Sequence, residues 1–168
     1  RIAGYAPSNF APVHVGELPA AEALRRSLNV PAVAILDRYG AARFIDRLTE
    51  AGATMALPHA TGRPGLAVIL GGVGTTLEDL VGLYTAFAGD GRVRPLTARP
   101  GAEAKSAPRR LLSPGAAWEV ARILEAAHHP SHAIGRRGGP VAWKTGTSYG
   151  FRDAWAVGVA NGRVVGVW

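Results

Sequence analysis

Cysteine is absent from all 168 residues. That single absence excludes disulfide staples, thiolate catalysis and cysteine-ligated zinc, and it leaves an oxidising compartment permitted but unproven. Lysine is almost as scarce, occurring only as Lys105 and Lys144 in a chain with 19 basic residues, so the positive charge is carried by arginine. Acidic residues number 12, which leaves a net charge of +7. Such a balance raises nucleic acid as a partner, but the arginines are scattered, with only short pairs such as Arg25-Arg26, Arg109-Arg110 and Arg136-Arg137. No basic stripe forms, and a solvated basic surface without nucleic-acid binding is the expectation. Nor does any apolar run approach the roughly 20 residues of a spanning helix, and no signal-peptide pattern opens the chain. Export or anchoring information is therefore expected outside these residues.

What is present describes a globular, loop-rich chain. Apolar residues make up 48%, charged residues only 18%, and the 22 glycines and 12 prolines follow no repeat period. A chain of this size can bury a core. Both ends read as cut: Arg1-Ile2-Ala3-Gly4-Tyr5 has no polar tail, and Arg163 to Trp168 stops inside a strand-like run. The expectation is a partial domain.

Apolar spacing predicts a helix over Pro19 to Leu28, a second from Pro31 towards Tyr39, and a third from Ala41 to Ala51 with Phe44, Ile45 and Leu48 inward. Ser27-Leu28-Asn29 thus falls at a helix-helix junction. Gly71-Gly72-Val73-Gly74 lacks the order of a nucleotide-binding loop and reads as a tight turn. Thr75 or Thr76 then caps a helix with the stripe Leu77, Leu80, Val81, Tyr84 and Phe87, ended by Gly89-Asp90-Gly91. Arg92 to Pro108 is expected to loop out before a helix that opens at Ser113-Pro114 and runs through Trp118, Ile123 and Leu124. His128, His129 and His132 have no carboxylate partner in a metal motif, and Pro130 interrupts helical spacing, so no metal is expected. Three strands close the chain, over Val141 to Ser148, Asp153 to Ala160 and Arg163 to Trp168. Asn161-Gly162 marks the hairpin between the last two. Helices followed by a hairpin-linked antiparallel sheet make an α+β fold.

The rare lysine lies on the first of these strands, in Trp143-Lys144-Thr145-Gly146-Thr147-Ser148. Alternation puts Lys144 and Gly146 on one face and Thr145 and Thr147 on the other. An ammonium and two hydroxyls about a bare glycine suit a peptide carboxylate, and the glycine lets a ligand backbone approach as an added strand. A Lys-Thr-Gly tripeptide by itself is common. Its companion is Ser27-Leu28-Asn29, a Ser-x-Asn element far upstream.

Together with Glu22 to Val33, Gly71 to Leu80 and Trp143 to Trp155, these elements resemble the transpeptidase domain of bifunctional class A penicillin-binding proteins. The run Lys144 to Trp155 is most similar to the 1C branch. The resemblance covers nearly the whole chain in the family's motif order. It implies a penicillin-binding-protein/serine β-lactamase-like fold and a membrane-anchored, periplasm-facing enzyme that cross-links peptidoglycan. The substrates implied are D-Ala-D-Ala stem peptides and β-lactams, with no cofactor and with a glycosyltransferase domain elsewhere in the protein.

By the same resemblance, Ser27 relays a proton to or from the leaving amine, Asn29 binds a substrate amide, and Lys144 orients Ser27 and supplies positive potential. Thr145 and Thr147 hydroxyls meet the substrate carboxylate beside Gly146, and the Thr147 N–H supplies half of an oxyanion hole. Tyr149, Gly150 and Phe151 form a rim loop, with Asp153 and Trp155 structural. One element departs from the pattern. The family's nucleophile is the serine of Ser-x-x-Lys, and none of the serines at 8, 27, 106, 113, 131 and 148 has lysine three residues on. That element is expected before Arg1, so the chain alone is expected to be inactive, and the strand near Val164 to Trp168 is expected to lack a neighbour. Two other functions fit the motifs: hydrolysis of the same acyl group, as in carboxypeptidases or β-lactamases, and a non-catalytic sensor or scaffold that binds peptidoglycan peptides or β-lactams.

Overall fold

The computed structural model describes residues 1–9, 16–57, 62–99, 101–104, 106–127, 139–148 and 152–168. The histidines at 128, 129 and 132, Lys105, the Arg136-Arg137 pair and the rim residues 149 to 151 lie outside the described residues. Helices α1 (Ala20–Arg25), α2 (Asn29–Tyr39), α3 (Ala41–Glu50), α4 (Leu77–Tyr84) and α5 (Pro114–Glu125) precede a sheet of β3 (Ala142–Thr147), β4 (Ala154–Ala160) and β5 (Arg163–Val167). A miniature pair, β1 (Arg92–Val93) with β2 (Arg109–Arg110), lies between α4 and α5 in sequence. The α+β reading stands.

The differences from expectation are local. Helix α1 ends at Arg25 rather than Leu28, and α2 begins at Asn29 rather than Pro31, so the junction is tighter than the apolar spacing suggested. Pro31 is tolerated because it falls in the first turn, where its missing N–H has no intrahelical partner to lose. The stripe predicted to run to Phe87 leaves the α-helix after Tyr84, since the backbone tightens into successive turns to Gly91. Within the Arg92–Pro108 stretch, Arg92 and Val93 pair with Arg110 and Arg109 instead of looping out.

Capping residues account for two helix starts. Thr76 accepts a hydrogen bond from the Asp79 N–H at 3.0 Å, the N-cap bond of the helix, and donates its hydroxyl to the Asp79 carboxylate at 2.8 Å. Thr75, the other candidate, bonds instead to the Thr54 carbonyl. Ser113 accepts from the Ala116 N–H ahead of Pro114, which suits the first helical position.

The sheet runs β3-β4-β5, antiparallel throughout. Asn161 and Gly162 both have positive φ, 49° and 71°, as a two-residue hairpin that matches strand twist requires. One sheet face carries Ala142, Val157, Val159 and Val164, and it packs on the helices. Ala142 and Val159 join Leu124 of α5 in one buried cluster, with Leu24 of α1 against it. A second cluster joins Ala51, Ala53, Leu83 and Val93 with Leu111. Gly166 lets α4 approach the sheet: a Cβ there would lie 2.5 Å from Val81 and 2.9 Å from Leu77. The outer edge of β5 is unpaired among the described residues.

Candidate functional site

Helix α1 closes with two reversed hydrogen bonds, Ser27 N–H to the Leu24 carbonyl at 3.1 Å and Leu28 N–H to the Ala23 carbonyl at 3.0 Å. This pairing requires a left-handed residue just past the helix end, a place that glycine usually takes. Here the residue is Ser27, with φ +56°. A side chain in that region costs about 1–2 kcal/mol relative to a helical conformation.

The Ser27 hydroxyl has a partner from the far end of the chain. Lys144 Nζ donates to Ser27 Oγ, and the same ammonium donates to the Thr145 carbonyl at 2.6 Å. Lys144 reaches Ser27 because it shares the helix-packed face of the sheet with Ala142, which α5 buries. Burial pushes the Lys144 ammonium below its ordinary pKa, since removing the group from water penalises its charged form. A lysine so placed gives up a proton more readily than an exposed one. It therefore suits a relay with a hydroxyl, which both donates and accepts.

Backbone direction in β3 follows from one bond. Ser148 N–H bonds to the Asp153 carbonyl, so the amides of Gly146 and Lys144, at even spacing from Ser148, also face β4. The N–H and C=O groups of Thr145 and Thr147 consequently point to the other edge, where no strand pairs among the described residues. Both threonines are exposed, and alternation sets their side chains on the face opposite Lys144. Gly146 lies on the Lys144 face, and among the described residues a Cβ there would meet only Trp155 Cβ, at 4.0 Å. Among the described residues, nothing else fills the space in front of it.

Asn29, the first residue of α2, brings its carboxamide to the same junction but not unattached. Its Nδ2 donates to the Ser8 carbonyl at 2.8 Å, while the neighbouring Val30 N–H donates to Asn9 Oδ1 at 3.1 Å. These tethers carry no sequence signal, since Ser8-Asn9 reads as an ordinary loop dipeptide. Asp153 is a further brace. Its N–H donates to Ser148 Oγ at 2.9 Å and its carboxylate accepts from Trp168 Nε1 at 3.0 Å, tying the end of β3 to the end of β5. Hydrogen bonds from the Ser148 and Trp168 side chains hold the Asp153 carboxyl below its ordinary pKa.

The structure thus brings Ser27 and Lys144 into contact, with Asn29 two residues after Ser27 at the start of α2, and aligns Thr145, Gly146 and Thr147 along an edge that is unpaired among the described residues. A cavity of about 240 Å³ lies elsewhere, lined by Leu83, Arg94, Pro95 and Arg109 among others, and none of the site residues borders it. No cluster of residues suited to hold a metal occurs among the described residues.

No protein-family model matches the chain. Among characterised proteins, all of it aligns with penicillin-binding protein 1C of Escherichia coli K12, at 45% identity over 170 residues that make up 22% of that protein. Penicillin-binding protein 1B of Vibrio cholerae is 27% identical over 98% of the chain, and penicillin-binding protein 1F of Bacillus subtilis 28% over 98%. The chain spans 22% and 25% of their respective lengths. Among solved structures, penicillin-binding protein 1A from Haemophilus influenzae matches over 94% of the chain and 31% of its own, with a TM-score of 0.68 at 15% identity. Penicillin-binding protein 3 from Mycobacterium tuberculosis gives 0.67 at 22% identity, over 94% of the chain and 46% of its own. At those identities the superpositions establish the fold, that of penicillin-binding protein transpeptidase domains.

Proposed function

We propose, from the chain's end-to-end kinship with the penicillin-binding proteins, that it is part of a peptidoglycan D,D-transpeptidase domain that cross-links stem peptides and binds β-lactams. The observation that carries this reading is the Lys144–Ser27 hydrogen bond, which joins the two motif elements in one relay-competent pair.

In the reaction proposed, a serine of a Ser-x-x-Lys segment outside these residues gives its proton to the lysine of that segment and attacks the carbonyl carbon of the penultimate D-Ala. The oxyanion of the tetrahedral species is met by the Thr147 N–H and the nucleophile's own N–H. The C–N bond to the terminal D-Ala breaks, and the departing amine takes its proton from the Ser27 hydroxyl, which Lys144 orients and resupplies. An acceptor amine then attacks the acyl ester, its proton leaves by the same hydroxyl, the ester C–O bond breaks, and the released serine takes its proton back from the lysine of its segment. Asn29 binds a substrate amide. The Lys144 charge and the Thr145 and Thr147 hydroxyls hold the carboxylate of the stem peptide or β-lactam, and Gly146 leaves room for its backbone along the β3 edge.

The alternation of β3 bears on one of these roles. Because the Thr145 and Thr147 side chains start on the face opposite Lys144, their hydroxyls reach the carboxylate only around the open edge. That route is available because the edge is unpaired among the described residues. Among the described residues no helix is long and apolar enough to cross a membrane. The anchor and the glycosyltransferase domain proposed for the whole protein, on the periplasmic face of the inner membrane, belong to other segments.

Intact-mass spectrometry after incubation with a penicillin tests the reading, on this chain and on a version extended to include Ser-x-x-Lys. An adduct on the extended version alone supports it. A stoichiometric adduct on the shorter chain would make one of its own serines the nucleophile and overturn the role given to Ser27. Cross-linked rather than hydrolysed product from stem peptides separates a transpeptidase from a hydrolase, and binding without turnover would identify a sensor.

A further inference from the structure

The start of α2 is held from outside. Its N-cap residue, Leu28, offers no side-chain acceptor to the first turn, so the amides there must find partners elsewhere. Asn9 supplies one, its Oδ1 accepting from the Val30 N–H. The adjacent Ser8 carbonyl accepts from Asn29 Nδ2. Two consecutive residues thus engage two consecutive residues, each pair 21 positions apart, which is a register rather than a single contact.

We infer that the Ser8-Asn9 segment is a strap that presets the Asn29 carboxamide for substrate, with Asn9 as a positioning residue. This rests on the substrate-binding role proposed for Asn29. A backbone carbonyl can only accept, so the end of the carboxamide that faces Ser8 is its nitrogen. One N–H is thereby committed, while among the described residues the second N–H and Oδ1 have no hydrogen-bond partner and are open to a ligand. The bond also holds one rotamer of a side chain that would otherwise sample several and have to be ordered on binding. Asn9 has no ligand role of its own in this scheme. It locks the strap to the first turn of α2, and through that turn sets where the Ser8 carbonyl meets Asn29. Ser27 is next but one to Asn29, so the same lock steadies the left-handed turn beneath the Lys144 contact.

The test uses the full-length protein and the acylation kinetics of a fluorescent penicillin, with rates referred to the fraction of folded, titratable sites and with Tm recorded alongside. Asn9→Ala is expected to slow acylation roughly 10- to 100-fold, the scale on which misplacing a substrate-positioning group acts. Asn9→Asp, which keeps the acceptor, should acylate at close to the wild-type rate. Because Asn9 acts through Asn29, adding Asn9→Ala to Asn29→Ala should slow the reaction little further. Wild-type acylation by folded Asn9→Ala, or full additivity in the double variant, would overturn the strap while leaving the site reading intact. Equal slowing by Asn9→Asp and Asn9→Ala would overturn the acceptor role. If Asn29→Ala itself acylated normally, the role of Asn29 would fall, and the strap's function with it.

Discussion

Lys144, in the first strand of the sheet, donates a hydrogen bond to Ser27, which sits in a left-handed turn 117 residues earlier between two helices. The pair depends on both partners being set by their elements. Ser27 is fixed by the closing bonds of α1, and Lys144 by a strand face whose earlier residue, Ala142, is buried against α5.

The turn makes Ser27 separable into backbone and hydroxyl. Ser27→Gly should leave the fold as stable as before, or more stable by about 1 kcal/mol, because glycine has no penalty in the left-handed region. Acylation by a β-lactam should nevertheless fall by about 10²-fold or more, as expected when a proton-relay group is removed. Denaturant titration and acylation kinetics on a version carrying Ser-x-x-Lys measure the two effects. Retained acylation would mean that the hydroxyl has no part in the chemistry.

Gly146 offers the complementary separation on the strand side. Among the described residues a methyl group there meets nothing closer than Trp155 Cβ at 4.0 Å, so Gly146→Ala should shift stability by no more than about 0.5 kcal/mol. A substrate lying along the β3 edge would collide with that methyl, and acylation should drop. Unchanged kinetics would place the ligand elsewhere.

At Gly166 the opposite outcome is expected, because the space is filled. A Cβ would press on Val81 at 2.5 Å and Leu77 at 2.9 Å, forcing α4 off the sheet. Gly166→Ala should destabilise the protein by about 1–3 kcal/mol, the usual cost of overpacking. A lower denaturation midpoint with an unchanged slope would show it; no shift would mean that α4 yields without cost.

The depressed pKa of Lys144 makes stability depend on pH with a definite sign. Its folded pKa lies below the ordinary 10.5, so between the two values the unfolded chain binds more protons, and stability rises with pH there. Below the folded pKa the cost of keeping the ammonium from water is present in full. It is relieved progressively as pH rises through that pKa towards 10.5. Compared with Lys144→Gln, the wild type should therefore gain relative stability between neutral and alkaline pH. Parallel denaturation curves across that range would check it, and a flat difference would mean that Lys144 is well solvated.

Much of this protein can be read along the chain because it depends on neighbours in sequence. Apolar spacing at helical period located the five α-helices of the described residues to within a few residues, Ser113-Pro114 marked the start of α5, and Asn161-Gly162 placed the hairpin. The Ser-x-Asn and Lys-Thr-Gly elements were legible as residue types at a spacing. Helix boundaries at the junction were less so, because α1 and α2 end and begin where the Ser27 turn allows, and that turn is set by hydrogen bonds between backbone groups whose donors and acceptors are the same for every residue. Three matters belonged to tertiary structure alone. Packing of Ala142 against α5 turned Lys144 towards Ser27, close approach of α4 left no free space for a side chain at Gly166, and Ser8-Asn9 closed on Asn29-Val30. Each joins groups distant in sequence, and one-dimensional pattern records what a residue can offer but not which distant partner the packing of helices on a sheet will bring to it.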